Sequence, residues 1–252
     1  MAYEEEYALA LEAATRAGKY LESLENASVD SQEGRDIKLE ADRKSEELII
    51  QVLRPSGIPI LSEERGTVGE SGGSRRWIVD PLDGTANFWK GMRELCCVSV
   101  ALWEDGQPVL GVVNRFHSQE IYGGILGQGA WRNSMPVCTS AAAHMKDAVL
   151  ATGFPVRRDY GADSLGAFVQ KVQSFKKIRM LGAAAVMGAF VADGRIDAYT
   201  EEQIMLWDVA ASSAIVRAAG GVAEVIPLEE GKCFCRLFAN QALYDEYMEN
   251  LA

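Results

Sequence analysis

Histidine is nearly absent from this 252-residue chain. His117 and His144 are the only two, and their spacing suits neither a metal-ligand pair nor the base of a Ser-His-Asp or Cys-His nucleophile. Both are expected to be structural or exposed, and a covalent enzyme intermediate is disfavoured. No segment approaches roughly 18 uninterrupted apolar residues, so a membrane span is not expected. The acidic start, Met1 to Glu6, is followed by no apolar core long enough for a secretory signal. The five cysteines (Cys96, Cys97, Cys138, Cys233, Cys235) make an odd number without a disulfide framework. Cys233 and Cys235 could share one strand face and touch a metal, but no second cysteine pair or nearby histidine completes a site. The expectation is a reduced, cytoplasmic protein. A basic excess is missing too: 25 Lys and Arg stand against 36 Asp and Glu, a net charge of −11. Nothing there offsets phosphate repulsion, so neither nucleic acid nor a membrane is an expected partner.

What remains is an ordinary globular composition, 48% hydrophobic and 24% charged, without repeats or low-complexity segments. The length supports a sizeable core, in one large domain or two intimate halves. Tyr7, Leu11, Ala14, Leu21 and Leu24 recur near helical spacing and predict a helix over 3–24. A polar connector over 26–34 and a second helix over 36–53, ending before Pro55, are expected next. Ile58 to Leu61 reads as a short strand and 66–74 as a Gly/Ser-rich loop. Strands are expected at 77–79, 96–103 and 109–113, with a hairpin turn at 104–106, and at 121–123 and 130–131. After a polar turn over 132–140 the pattern alternates: helices at 163–175 and 183–192, a strand at 198–200, and a helix at 208–219 closed by Gly220-Gly221. The change of character places a boundary at residue 138, dividing the chain into 1–138 and 139–252.

The most informative stretch is Trp77-Ile-Val-Asp-Pro-Leu-Asp-Gly-Thr85. An apolar strand stops at Asp80 and presents two carboxylates, Asp80 and Asp83, on a turn stiffened by Pro81. Gly84 permits close backbone approach, and Thr85 adds a hydroxyl. Carboxylates and turn carbonyls suit a hard divalent cation, and turn amides suit an anion. The same acids could instead form an Asx-type turn at a strand end. Glu63, in Leu61-Ser-Glu-Glu64, could be a solvated loop acid. Asp208, in Leu206-Trp-Asp-Val-Ala-Ala211, could cap a helix, a role compatible with ligation.

Together these blocks, with Ala218-Ala-Gly-Gly221, resemble in order and spacing the signatures of the inositol monophosphatase-like family, lithium-sensitive Mg²⁺ phosphatases; the similarity spans nearly the whole chain. The resemblance implies an α+β fold of layered α/β/α/β/α architecture, with an N-terminal α+β half and a C-terminal α/β half. It implies two or three Mg²⁺ ions held by Glu63, Asp80, the carbonyl of Leu82, Asp83 and Asp208. Glu63 and Thr85 would orient the attacking water, with Asp42 contacting Thr85. The amides of Gly84 and Thr85 would hold phosphate oxygens. Ala184, in Leu181-Gly-Ala-Ala-Ala185, and Glu201 would face the substrate ring alongside Asp208. The chain departs from the family pattern at Lys38-Leu39 and near Ser31, a region that shapes third-metal binding and the response to lithium. A homodimer is implied by the resemblance. The interval Tyr199 to Trp207 holds no Arg or Lys, which favours a monophosphate over fructose 1,6-bisphosphate or 3′-phosphoadenosine 5′-phosphate. Arg157, Arg158 and Arg179 are the cations that could reach the pocket, from the side of the Gly153-Phe-Pro155 turn. The alternatives are another phosphatase of the family, histidinol phosphate included among its substrates, or a non-catalytic metal or sugar-phosphate binding protein.

Overall fold

Alanine does much of the packing at the amino-terminal end. The computed structural model describes residues 2–25, 29–33, 36–70, 72–154 and 159–250, of which 29–33 and 36–38 are described for the backbone alone. Helix α1 (Glu4–Ser23) buries Ala10, Ala13, Ala14, Ala17 and Leu21, the spacing of one helical face. A backbone hairpin, β1 (Val29–Glu33) with β2 (Asp36–Leu39), follows where a connector and the start of a helix were expected. Helix α2 (Glu40–Leu53) begins four residues later than the sequence suggests. The Asp42 carboxylate explains the start: its Oδ2 accepts from the Leu39 amide at 2.8 Å, closing the helix end. The side chains of Ser31 and Lys38 lie outside the described residues.

Eight strands then form one sheet: β3 (Ile60–Ser62), β4 (Gly66–Val68), β5 (Arg75–Asp83), β6 (Cys97–Glu104), β7 (Gln107–Arg115), β8 (Glu120–Ile125), β9 (Gly129–Arg132) and β10 (Met135–Val137). Their order is β10-β9-β8-β7-β6-β5-β3-β4, and every neighbouring pair is antiparallel except β3 with β5. A short helix α3 (Thr85–Trp89) leaves β5 toward β6. Asp105 and Gly106, with φ of 51° and 75°, make the tight turn from β6 to β7. The expected loop at 66–74 contains β4, and the expected turn after Arg132 contains β10.

The chain enters a second sheet at β11 (Val149–Ala151), then α4 (Ala162–Gln173), β12 (Lys177–Arg179), α5 (Ala184–Ala192), β13 (Ala198–Met205), α6 (Leu206–Ala218), β14 (Val222–Pro227), β15 (Lys232–Phe238) and α7 (Gln241–Glu249). The order is β12-β11-β13-β15-β14, parallel across β12, β11 and β13 and antiparallel at β15. The core divides into three clusters that define the layers. Helices α1 and α2 cover one face of the large sheet through Leu21, Ile49, Leu53, Val79 and Val100. The other face, with Ile78, Ala101 and Val113, meets α5 and α6, which pack in turn on Tyr199, Cys233, Cys235 and Leu237. Beyond the small sheet, Leu150 and Phe238 meet Phe175, Leu243 and Tyr247. The fold is α+β in five layers.

The middle layer is unusually tight. Every residue of α6 from Val209 to Val216 is buried, so this helix has no solvent face. Trp103 Nε1 donates to its Ala210 carbonyl at 3.4 Å. Gly111 of β7 lies directly beneath: a Cβ there would stand 2.8 Å from Ala211 Cα and C, and closer still to the Ala211 oxygen. Absence of a side chain lets the helix backbone rest on the sheet, and the helix carries Asp208 in its first turn.

Candidate active site

Residues three apart on a regular strand point to opposite faces. Asp80 and Asp83 nevertheless open into one cavity of about 260 Å³. The reason is an irregularity in the β5–β6 ladder between them, a bulge that resets the alternation at Pro81, which has no N–H to give a ladder. The strand therefore continues to Asp83 rather than stopping at Asp80. Gly84 follows at φ 89°, a left-handed conformation that glycine adopts without cost, and turns the chain into α3.

All the candidate site residues except Asp42 line this cavity: Glu63, Asp80, Leu82, Asp83, Gly84 and Thr85 from the first sheet and its turns, Ala184 from α5, Glu201 from β13 and Asp208 from α6. Asp42 stands behind the wall. The Thr85 hydroxyl lies 3.1 Å from Asp42 Oδ1 and 3.0 Å from the Leu82 carbonyl, two acceptors for its single proton. Asp208 is the third residue of α6, three beyond the cap position held by Met205. Its Oδ2 accepts from the Met205 amide at 3.3 Å. Strand β13 runs past the expected Thr200 to Met205, and Tyr199 Oη donates to Glu201 Oε2 at 2.9 Å.

The acids are held by backbone amides. Asp80 Oδ1 accepts from Leu82 N at 2.9 Å. Asp83 reaches across to α5, taking Ala184 N at 3.1 Å and Ala185 N at 2.8 Å in its first turn, with Cys97 Sγ at 3.6 Å from its Oδ2. Burial raises the carboxyl of Asp80 well above the usual range, and Glu63, Asp83 and Asp208 push it further. Asp208 is raised by burial and then by Glu63, Asp83 and Glu201. Asp83 is pushed up to about 6 by burial, against the pull of the Ala185 and Ala184 amides. Asp42 is pushed up to about 7, again by burial. Among the described residues no Lys or Arg lines the cavity, and its acids face other acids there.

The donor set is one of oxygens, the kind a divalent cation takes. Among the described residues no three acidic, histidine or cysteine side chains stand in a ready coordination sphere; Asp80, Asp83 and Asp208 rest on backbone amides. The chemistry fits all the same. Four carboxylates and the Leu82 carbonyl offer oxygen alone, and an oxygen that accepts one amide keeps a further lone pair.

Several residues matter here that sequence reasoning passed over. Met187 and Ile204 join the lining, which also takes in Gly153, Phe154, Gly182 and Ala183 from the two segments already expected beside the pocket. Phe154, 45% exposed, sits at the rim against Tyr160 and Phe168. Asn87 Nδ2 joins Leu95 O at 3.1 Å and Leu181 O at 2.7 Å, tying the turn after Gly84 to the segment before α5. The Tyr199–Glu201 pair was open to discovery from i, i+2 spacing on one strand, whereas Cys97 opposite Asp83 depends on strand register. Arg179 is exposed, donates to the Ile178 carbonyl at 2.9 Å and does not line the cavity. Pro155, Arg157 and Arg158 lie outside the described residues. Cys233 and Cys235 do share a face of β15, but it is the core face, away from the cavity lining. His117 packs on Phe116 and His144 lies 3.6 Å from Glu246, both outside the cavity.

The chain is similar to known proteins over most of its length. The sequence pattern described as the inositol monophosphatase family matches residues 2–233. An inositol-1-monophosphatase of Mesorhizobium japonicum is 36% identical over 219 residues, covering 84% of this chain and 82% of that protein. Nus factor SuhB of Pasteurella multocida is 33% identical over 221 residues, covering 85% and 82%. The solved structure of an inositol monophosphatase from Anabaena (Nostoc) sp. PCC 7120 superposes with a TM-score of 0.87 at 29% identity, covering 100% of this chain and 96% of that one.

Proposed function

The chain belongs to the inositol monophosphatase family, and on that premise we propose that it is a Mg²⁺-dependent phosphomonoesterase for inositol monophosphate or a related polyol or sugar monophosphate. Membership itself implies a phosphatase acting on small phosphorylated substrates. The observation that carries the finer reading is the cavity between the two sheets, lined by Glu63, Asp80, Asp83, Glu201 and Asp208 and, among the described residues, by no side-chain cation. An anionic phosphate would not enter such a cavity unless the charge were first neutralised.

Glu63, Asp80, Leu82 through its carbonyl, Asp83 and Asp208 would hold two or three Mg²⁺ ions. Bound there, the ions would supply a water nucleophile at neutral pH and neutralise phosphoryl charge. Glu63 and Thr85 orient that water, and Asp42 fixes the Thr85 hydroxyl. The Gly84 and Thr85 amides, exposed by the left-handed turn, receive phosphate oxygens. Ala184 and Glu201 face the alcohol part of the substrate. Glu201, held by Tyr199, accepts hydrogen bonds from hydroxyls and repels a second phosphate, which favours monophosphates. One relative is named as a factor rather than as an enzyme; the complete set of acids with Thr85 favours catalysis over binding alone here. Homodimerisation, lithium inhibition and a cytoplasmic location belong to the same proposal and rest on family membership.

The test is phosphate release from inositol 1-phosphate, fructose 1,6-bisphosphate, histidinol phosphate and 3′-phosphoadenosine 5′-phosphate, in Mg²⁺ and in excess EDTA. The polyol monophosphate should be turned over best, and EDTA should abolish turnover. Asp208→Asn keeps the shape but removes a ligand charge, so kcat should fall about 100-fold, near 3 kcal/mol of barrier. Undiminished turnover in EDTA would refute the mechanism, and a preference for the bisphosphate would refute the substrate class.

A further inference from the structure

Helix α2 breaks its own amphipathic pattern. Its inner face is expected to be apolar, and Ala41, Ile49, Val52 and Leu53 comply. Asp42, Ser45 and Glu46 are buried just as deeply, at 2%, 0% and 0% exposure. At i, i+3 and i+4 they form one polar stripe along the helix. Burying a charge or a hydroxyl is costly unless each finds a partner.

The partners lie on the two turns that carry the acids. Ser45 Oγ donates to the Pro81 carbonyl at 2.7 Å, inside the bulge between Asp80 and Asp83. Glu46 Oε1 accepts from the Arg65 amide at 3.0 Å, and its Oε2 stands 2.9 Å from Arg65 Nε, two residues beyond Glu63. Asp42 takes the Thr85 hydroxyl. Neither Ser45 nor Glu46 lines the cavity.

The sheet explains why such ties are needed. Glu63 leaves the end of β3, and Asp80 lies near the end of β5. The parallel ladder between those strands stops at the pair Ser62 and Val79, one residue short of both acids. Beyond it no strand pairing sets the distance between Glu63 and Asp80, while their charges favour separation. Helix α2 grips both turns from behind at that point.

We propose that Ser45 and Glu46 are positioning residues, and that α2 is a strut fixing the Glu63 turn against the Asp80–Thr85 turn at the spacing a divalent cation requires. The inference rests on the metal site proposed above. Removing a tie should leave the ligands in place but let their spacing relax, so metal affinity falls while the chemistry of the loaded site persists. Residues that orient ligands without touching the metal are worth about 10- to 100-fold in affinity. Ties acting through backbone belong at the lower end.

The experiment uses Ser45→Ala and Glu46→Gln, with Ile49→Val as a control that loosens the same helix without touching either turn. Mg²⁺ binding is measured by titration calorimetry well below each melting temperature, and the Mg²⁺ concentration for half-maximal phosphate release is measured beside it. Ser45→Ala and Glu46→Gln should each weaken Mg²⁺ binding about tenfold. The half-maximal concentration should rise in step, with kcat at saturating Mg²⁺ within about threefold of wild type. Ile49→Val should melt earlier and bind Mg²⁺ as wild type does. If Glu46→Gln fails to fold, Ser45→Ala carries the test. Unchanged Mg²⁺ affinity in folded Ser45→Ala, or an equal loss in Ile49→Val, overturns the strut. A wild type that binds no Mg²⁺ overturns the metal site and the strut together, whereas wild-type binding with unaltered variants overturns the strut alone.

Discussion

Gly111→Ala is a single-methyl change at the place where the fold has least room. The added Cβ would stand 2.8 Å from Ala211 Cα and C, atoms of helix backbone with no rotamer to give. Ordinary carbon contacts lie near 3.5–4.0 Å, so α6 and β7 must separate by roughly 1 Å. Overpacking of this kind costs about 1–3 kcal/mol and more when backbone is the obstacle. We expect about 3 kcal/mol, which for a domain of this size lowers Tm by about 6–12 °C. The displacement reaches chemistry as well. Helix α6 carries Asp208 in its first turn, with Oδ2 on the Met205 amide, and a 1 Å misplacement can cost about 100-fold in rate. The assay is differential scanning calorimetry with kcat for inositol 1-phosphate at a temperature where the variant is folded. Gly166→Ala is the matched control: it lies within α4, where a Cβ would meet nothing within 4 Å, so it should stabilise by about 0.5–1 kcal/mol with unchanged kcat. A Gly111→Ala protein that melts within 1–2 °C of wild type (roughly 0.5 kcal/mol) and keeps full activity would refute the contact between α6 and β7 as described.

Glu201→Gln should lower kcat/KM for a hydroxyl-rich monophosphate by roughly 3- to 30-fold through loss of charge-assisted bonds, and raise it for fructose 1,6-bisphosphate; a parallel fall for both would assign Glu201 to the fold. The metal-free chain should lose stability as pH rises from 5 to 7.5. Asp42 and Asp83 are raised to about 7 and about 6, and Asp80 and Asp208 are raised as well, so between the unfolded carboxyl pKa near 4 and these values the native state holds the extra protons and stability falls with pH. A loss of about 2 kcal/mol corresponds to a Tm lower by about 4–8 °C; a flat or rising Tm in EDTA over this range would contradict the buried acids.

The elements legible in the sequence are those whose burial follows one period. The alanines and Leu21 of α1 recur on a helical face, and the small-residue runs of α5 and α6 read as buried helices. The segment 36–39 is compatible with the helix that follows it, yet its backbone pairs with β1 because pairing overrides weak local preference. Strand β15 carries a clean alternation, with Cys233, Cys235 and Leu237 inward. The shared strand face of Cys233 and Cys235 was legible, whereas Phe234 on the outer side obscured how far the strand extends. The bulge at Pro81 was half visible: proline argued against a continuing strand, but nothing local says that the strand resumes for Asp83.

The acids themselves stand in short motifs, so their identity can be read locally; what makes four of them tolerable, Asp80, Asp83 and Asp208 in the cavity and Asp42 behind it, cannot. Each is matched to a donor fixed by the fold. Asp80 has the Leu82 amide two residues on, which a turn supplies. Asp208 and Asp42 each sit third in a helix and take the amide of the residue before it, a relation that follows once the helix start is known. Asp83 depends on Ala184 and Ala185, about a hundred residues away, and so on the docking of the two sheets. Together these bonds let the chain fold with its charges gathered, because each carboxylate gains an amide near its own level of burial. A cation arriving later would compete for oxygens that are oriented but not exhausted, and would offset both the burial that raises these carboxyls and the repulsion that adds to it at Asp80 and Asp208. The residues that bring this about, Ser45, Glu46 and Asn87 among them, are ordinary types whose meaning comes from register and docking. That is why the motif was legible and its support was not.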